Sequence, residues 1–159
     1  MTIMIVATRV DERLIHGQVA VSWLSALGAD CILVANDEVA ADDAQRAILK
    51  MAKPSGCKLV IKGLDDSIAA IRSGITDKYR LFIVVKTVKD ACLLAQGCPD
   101  IKAINLGNVI PREGTRQISR CVYVSPDEEK SLVALVEAGV DIVIRSLPGD
   151  KALRLAEAL

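Results

Sequence analysis

Residues 3–28 read IMIVATRVDERLIHGQVAVSWLSALG, which is a short apolar run, a polar segment and an amphipathic segment in direct succession. The apolar run at residues 3–7 is rich in Ile and predicts a β-strand. In residues 17–27 the apolar side chains recur at helical spacing, and Gly28 follows at the position of a helix C-terminal glycine. A strand that leads through a loop into a helix predicts the first unit of an α/β fold.

The same alternation of apolar runs and amphipathic segments continues along the chain. Further strands are predicted at residues 31–35, 58–62, 81–86, 103–106, 120–124 and 141–145, and further helices at residues 41–53, 65–73, 88–96, 126–139 and 151–159. Most runs are apolar throughout rather than alternating, which is typical of parallel strands buried on both faces. We expect a single domain over residues 1–159, with an open, mostly parallel, twisted sheet of about seven strands and helices on both faces.

The composition narrows the classes of function. Of 159 residues, 52% are hydrophobic and 25% are charged, as in soluble globular proteins. The 20 Lys and Arg residues offset the 20 Asp and Glu residues, and aromatic residues make up only 3%, so we expect no nucleic-acid partner. The apolar runs are far shorter than the roughly 20 residues of a membrane-spanning helix. The first residues lack the basic start of a secretory signal, which favours a cytoplasmic location.

Several familiar kinds of site are missing from the sequence. No Gly is followed by Lys-Ser or Lys-Thr, and no Gly-x-Gly-x-x-Gly follows the first strand, which argues against the common nucleotide-binding loops. The five cysteines are an odd number, which argues against a disulfide framework. None of them stands at a strand tip before an anion-binding loop, and none has metal-ligand spacing. We therefore expect neither a metal nor a bound cofactor.

The only histidine, His16, lies in the loop between the first predicted strand and the first predicted helix. Ligands of open α/β sheets bind beyond the carboxyl ends of the strands, where helix N-terminal amides favour anions. Arg9 and Arg13 add guanidinium groups that suit phosphate, and Gly17 lets a ligand approach the amides of Gly17 and Gln18. A neutral imidazole can accept a phosphoryl group and release it. The ordinary alternative is a solvated turn with weak ion pairs.

Polar residues also follow the other predicted strands and form a candidate rim of the site. If the strands are parallel, these residues share the sheet edge with His16. The alternative is that Asn, Asp and Gly serve there as turn formers. The positions are Asn36, Asp37, Lys86, Asn105, Gly107 and Asn108, with Arg145 at the end of the last predicted strand.

Residues 9–19, RVDERLIHGQV, resemble the active-loop motif of the IIB components in the mannose/sorbose family of the bacterial sugar phosphotransferase system. The resemblance covers essentially the whole chain, because it continues through VAND at 34–37, AKPSG at 52–56, INLGNV at 104–109 and GVD at 139–141. The segments 34–38 and 105–108 are more similar to the N-acetylgalactosamine/galactosamine branch than to the mannose branch.

The resemblance implies a cytoplasmic phosphocarrier, peripherally associated with a membrane transporter, that acts as a protein-Npi-phosphohistidine–sugar phosphotransferase. A IIA partner would donate a phosphoryl group to Nδ1 of His16, and the group would pass to a sugar that enters through membrane IIC and IID partners. Arg13 matches the family's arginine that supports the phosphoryl group. Arg9 and Asp11 also match motif positions and are expected at the phosphate-binding site. Arg145 stands where relatives often carry Gln, and it either adds positive charge or faces solvent.

One alternative function stays open, namely a non-catalytic regulatory module that binds a phosphorylated partner at the same loop. A homo-oligomer is also compatible with the sequence. The segment 107–115 lacks clear periodicity and reads as a surface loop. Val109, Ile110 and Arg112 in this loop are candidates for the partner-facing surface, because apolar residues with Arg nearby suit a transient interface.

Overall fold

The computed structural model describes residues 5–159, which form an α/β domain. Its strands are β1 (Ile5–Asp11), β2 (Cys31–Ala35), β3 (Lys58–Lys62), β4 (Leu81–Val85), β5 (Ala103–Asn108), β6 (Arg116–Ser119), β7 (Val122–Val124), β8 (Asp141–Ile144) and β9 (Leu153–Arg154). Its helices are α1 (Gly17–Leu27), α2 (Asp37–Ala40), α3 (Asp43–Ala52), α4 (Leu64–Ser73), α5 (Val88–Gly97), α6 (Pro126–Glu137) and α7 (Leu155–Ala158).

The main sheet has seven strands in the order β3-β2-β4-β1-β5-β8-β9. The first six of these strands are parallel, and β9 pairs antiparallel with β8 at one edge. The prediction of a mostly parallel sheet of about seven strands is therefore confirmed. Strand β1 lies in the middle, between β4 and β5, so the loop that follows β1 emerges at the centre of the sheet's carboxyl edge.

Helices cover both faces of the sheet, as predicted, and bury two apolar clusters. One cluster joins α1 and α3 to the sheet and includes Trp23, Leu24 and Leu49. The other joins α4, α5 and α6 to the opposite face and includes Leu94 and Leu132, which are both fully buried. Burial of each such side chain contributes roughly 1.5–3 kcal/mol relative to exposure, so the strands that carry the site rest on a rigid core.

The seventh strand of the main sheet differs from the prediction. The run at residues 120–124 lies outside this sheet, because a turn at Arg120 and Cys121 separates β6 from β7 in a two-stranded antiparallel sheet. The apolar signal of this run arises from Val122 and Val124, which are buried in the core. The edge position belongs instead to β9, inside the stretch predicted as a final helix. Two residues are too few to show a strand period, and only residues 155–158 are helical there.

Other boundaries also differ. Strand β1 extends to Asp11, four residues beyond the predicted end, and residues 3 and 4 of the predicted strand lie outside the described residues. The helix predicted at 41–53 begins two residues later, as α3, because Asp42 caps it by accepting hydrogen bonds from the amides of Ala44 and Gln45. All five cysteines are free thiols. Among the helices of residues 5–159, none combines the length and the apolar character that crossing a bilayer requires.

Candidate functional site

The loop after β1 turns sharply and is anchored by two apolar side chains. Leu14 adopts a left-handed backbone conformation with φ of 59°, which is unfavourable for a residue with a side chain. Leu14 and Ile15 are nevertheless buried, in the cluster beneath α1. Their burial offsets the backbone strain and holds the loop in one shape. Strained backbone held by packing is a recurrent feature of functional sites.

His16 occupies the N-cap position of α1 with an exposed side chain. Its carbonyl oxygen accepts the amide of Val19 at 3.0 Å, so the helix begins at once. Within residues 5–159, the imidazole takes part in no hydrogen bond, and the amides of Gly17 and Gln18 have no acceptor. His16 therefore directly precedes two free N–H groups at the positive end of a helix of 11 residues.

Arg13 is held beside this loop by the carboxylate of Asp11. Oδ1 of Asp11 accepts from the Arg13 amide at 3.0 Å and from Arg13 Nε at 3.2 Å, and Oδ2 accepts from Arg13 Nη2 at 3.2 Å. The Arg13 side chain is 36% exposed, whereas that of Asp11 is 1% exposed. Asp11 therefore orients a guanidinium that remains accessible to a bound anion.

Arg9 lies beneath the loop and is almost fully buried. Its Nη1 donates to Asn105 Oδ1 at 2.6 Å and to the Arg145 carbonyl at 3.0 Å. Its Nη2 donates to Asp11 Oδ2 at 3.1 Å and to the Ser146 carbonyl at 2.9 Å. Burial lowers the pKa of the Arg9 guanidinium, and the charge of Asp11 opposes that shift.

The burial of Arg9 and Asp11 differs from the expectation that both side chains contact phosphate. Neither side chain presents a surface to solvent in this structure, because each is engaged by the other and by neighbouring groups. The predicted strand ends at residue 7, which leaves both residues in the loop, whereas in the structure both lie on β1. The sequence pattern therefore does not show that their side chains are buried. Arg9 pairs with Asp11, and Asp11 in turn holds Arg13 in position.

The rim residues of β5 belong to the same buried network. Asn105 accepts from Arg9 and donates its own amide to the Arg145 carbonyl at 3.1 Å. Gly107 leaves the space that the Arg9 guanidinium occupies, since a Cβ at this position would overlap it. The carbonyl of Asn108 accepts the amide of Glu12 at 2.9 Å and so fixes the start of the loop.

The rim residues after β2 and β4 have local roles or no partner. Asn36 caps α2 by accepting the Val39 amide at 2.9 Å, and Asp37 accepts the Leu64 amide at 2.7 Å at the start of α4. These contacts are the ones expected of turn and cap formers. Lys86 is half-buried and takes part in no hydrogen bond through its side chain within residues 5–159.

Trp23 is buried in the core and also connects two arginines. The guanidinium carbons of Arg9 and Arg145 lie over its ring, at 5.0 and 5.3 Å from the centroid. Its Nε1 donates to the Ser146 carbonyl at 3.0 Å. Helical spacing places Trp23 correctly on the buried face of α1, but no local pattern links it to a loop more than 100 residues later in the chain.

The candidate partner surface in residues 107–115 needs a correction. Val109 is buried, and its backbone bonds to Cys121 and Tyr123, so it is not a surface residue. Ile110 is exposed. Arg112 is exposed too, but its guanidinium forms a two-point ion pair with Glu128 at 2.7 and 3.0 Å. The reason for the error is that Val109 continues the apolar face of β5 into the core.

Metal-binding geometry is not found in the described part of the chain. No group of three or more His, Cys, Asp and Glu side chains converges there in a way that would hold an ion. The charges at the site are instead those of Arg9, Asp11 and Arg13, together with the free amides at the start of α1.

Comparison with known proteins places the chain among phosphotransferase IIB components. Residues 5–159 match the family model described as the sorbose subfamily IIB component of the PTS system. A probable phosphotransferase enzyme IIB component of Streptococcus pyogenes is 38% identical over 97% of this chain and 98% of its own. The N-acetylgalactosamine-specific IIB component 2 of Escherichia coli is 36% identical over 98% of both chains. The crystal structure of the IIB domain of the Klebsiella pneumoniae sorbose permease superposes with a TM-score of 0.92, at 26% identity, over 98% of this chain and 96% of that one.

Proposed function

This chain belongs to the sorbose subfamily of phosphotransferase-system IIB components, and from that premise we propose that His16 is the residue that carries the phosphoryl group. The family is one of phosphotransferases that serve sugar uptake. The observation that carries the proposal is the exposed, unpartnered imidazole of His16 at the start of α1, in the same loop as the Arg13 guanidinium that Asp11 holds.

The proposed reaction consists of two in-line transfers. First, the unprotonated Nδ1 of His16 attacks the phosphorus of a phosphohistidine on the IIA partner. The N–P bond to the donor breaks, and its electron pair returns to the donor ring. Next, a sugar hydroxyl attacks the phosphorus on His16, the N–P bond breaks and its electron pair returns to the His16 ring, and the hydroxyl proton passes to solvent. Such transfers need positioning and charge stabilisation more than covalent help from other residues.

The charges around His16 suit this chemistry. The amides of Gly17 and Gln18 can donate to the phosphoryl oxygens, and the helix dipole favours negative charge at this end of α1. Arg13 can contact the same oxygens while Asp11 holds it in place. Preorganised donors of this kind stabilise the charge that is spread over the phosphoryl group in the transition state. No metal or cofactor is part of the proposal.

We assign Arg9 and Asp11 a positioning role. The carboxylate of Asp11 would compete with a phosphoryl group for Arg13 if Arg13 were its only cationic partner. Arg9 also pairs with this carboxylate and so weakens the competition. The two residues therefore fix the direction of Arg13 and leave the exposed part of its guanidinium available.

The partners follow from the proposed chemistry and the family. A IIA protein would supply the phosphoryl group, and IIC and IID proteins in the membrane would present the sugar. We place the chain on the cytoplasmic side, peripheral to that transporter. N-acetylgalactosamine is the first sugar to test, because the E. coli relative specific for it is 36% identical to this chain.

The test is phosphorylation by the IIA partner, read out by intact mass. We expect the mass of one phosphoryl group, bound in an acid-labile and base-stable linkage. Because the chain has a single histidine, any phosphohistidine found must be His16. Reversible binding of phosphorylated IIA without covalent transfer would contradict the proposal and would favour the regulatory module.

A further inference from the structure

A cavity of about 570 Å³ opens at the carboxyl edge of the sheet, on the side of β5 and β8. Its walls are the end of β5, the turn between β6 and β7, and the loop that joins β8 to β9. None of the residues of the His16 loop lines it. The volume is in the range of pockets that take small organic ligands, and it is large enough for a hexose derivative.

The cavity is cationic. Arg120, Arg145 and Lys151 line it, against the single carboxylate of Asp150. That carboxylate is already engaged, because its Oδ2 accepts the amide of Leu147 at 3.0 Å. Within residues 5–159, none of the three cationic side chains forms an ion pair. Unpaired cations that converge on one cavity favour an anionic ligand.

Two further groups on the wall lack hydrogen-bond partners. Nε of Arg145 and Oγ of Ser119 are both buried and have no partner among the described residues. Buried polar groups in native proteins almost always have hydrogen-bond partners. A small shift of the cavity wall would let a bound ligand form the missing hydrogen bonds with these two atoms. Both residues line the same cavity.

The remaining wall is apolar. Ile144, Leu147 and Leu153 contribute it, so the cavity combines a charged end with a surface for an uncharged body. Inorganic phosphate would use only the cations. A phosphate ester with a body of hexose size would use both parts of the wall.

We propose that this cavity binds a small organic phosphate, namely a sugar phosphate, at a site separate from His16. The identification of the ligand as a sugar phosphate rests on the proposed function, because that reaction produces one at this edge of the sheet. Arg9 connects the two places, since it donates both to the carbonyls of Arg145 and Ser146 and to Asp11, which holds Arg13.

The test is calorimetric titration of the unphosphorylated full chain with glucose 6-phosphate, inorganic phosphate and glucose. We expect glucose 6-phosphate to bind more tightly than inorganic phosphate, and glucose to show no binding. The double variant Arg120→Gln/Lys151→Gln should weaken glucose 6-phosphate binding by about tenfold or more, because two charge-assisted contacts are lost. Both side chains are exposed, so the variant should fold. The control Lys130→Gln, an exposed cation on α6, should leave the affinity unchanged.

Cys121 locates the ligand independently. It lines the cavity and is the one cysteine that is not buried, so iodoacetamide should modify it first. Glucose 6-phosphate should slow that modification in the wild type but not in the double variant. Unchanged affinity in the double variant, or loss of binding in Arg13→Ala alone, would overturn the proposal. Neither phospho-IIA nor the membrane partners are present in either assay, so the results do not depend on whether His16 accepts a phosphoryl group.

Discussion

Asp11 holds Arg13 at three points, through the backbone amide, Nε and Nη2, at distances of 3.0–3.2 Å. A buried carboxylate thus fixes the direction of an exposed guanidinium in the loop that carries His16. Arg9 closes the arrangement from below, with its own bond to Asp11 and three others that reach β5 and the loop after β8.

Arg13→Ala should slow phosphoryl transfer by about 100-fold, because it removes one preorganised cation from the transition state. Its thermal midpoint should change little, since the Arg13 side chain is partly exposed and the buried carboxylate of Asp11 keeps its ion pair with Arg9. Single-turnover rates and thermal melts measure the two effects. The matched control is Arg116→Ala, which also breaks an exposed pair, with Glu129, and should change neither quantity. If Arg13→Ala lost much stability but accepted phosphoryl groups at the wild-type rate, Arg13 would have a structural role and no role in transfer.

Arg9→Met should destabilise the protein by about 3–5 kcal/mol, because it leaves the buried Asp11 without its buried partner. Urea unfolding followed by circular dichroism gives the free energy. Arg116→Met is the control, and its unfolding midpoint should match that of the wild type. If Arg9→Met instead unfolded like the wild type but transferred slowly, Arg9 would belong to the phosphate site.

Gly107→Ala should destabilise the protein by about 1–3 kcal/mol, because the new methyl group overlaps the Arg9 guanidinium and the packed core cannot absorb it. Phosphorylation of His16 should slow as well, since Arg9 must move away from Asp11. Gly149→Ala is the control, because a Cβ there meets nothing within 4 Å. Equal free energies of unfolding of the two variants would show that the Arg9 guanidinium can adopt another position without loss of stability.

Glu128 should contribute stability that depends on pH. Its partial burial raises the pKa, but hydrogen bonds from Arg112 and Ser125 outweigh that effect and hold the pKa below the ordinary value of 4.5. The stabilisation is therefore present above pH 4.5 and is lost as the pH falls through the lower pKa of the folded state.

Urea unfolding at pH 7 and pH 3.5 tests this dependence. Glu128→Gln should lose less free energy of unfolding between the two pH values than the wild type does. Glu137→Gln, an exposed residue on the same helix, should behave like the wild type. A pH dependence in Glu128→Gln equal to that of the wild type would show that the ion pair with Arg112 adds nothing.

The parallel part of the sheet could be predicted from the sequence because its strands are short apolar runs covered on both faces. The edge could not: β9 has two residues and shows no period, and β7 is too short for its direction to be read. The position of His16 followed from one strand, one loop and one helix in succession. These three elements are adjacent in the chain, so the sequence pattern is enough to place His16 between them.

The hydrogen bonds of Arg9 near the His16 loop could not be predicted from the sequence, because they join distant parts of the chain. Arg9 bonds to Asn105 and to the carbonyls of Arg145 and Ser146, across separations of 96 to 137 residues. A sequence shows that these residues are polar or charged but not that they meet. The sequence places Arg9 near the loop, and only the pairing of β1 with β5, with the contacts it brings, shows that this side chain is buried.

Rapid-quench kinetics test whether His16 carries the phosphoryl group covalently between two other molecules. Wild-type chain is mixed with labelled phospho-IIA, and the membrane partners with N-acetylgalactosamine are then added. We expect label to appear on the chain and to leave it at the rate at which sugar phosphate forms, and we expect neither step in His16→Ala. Sugar phosphate formed at the wild-type rate by His16→Ala would show that His16 is not the carrier.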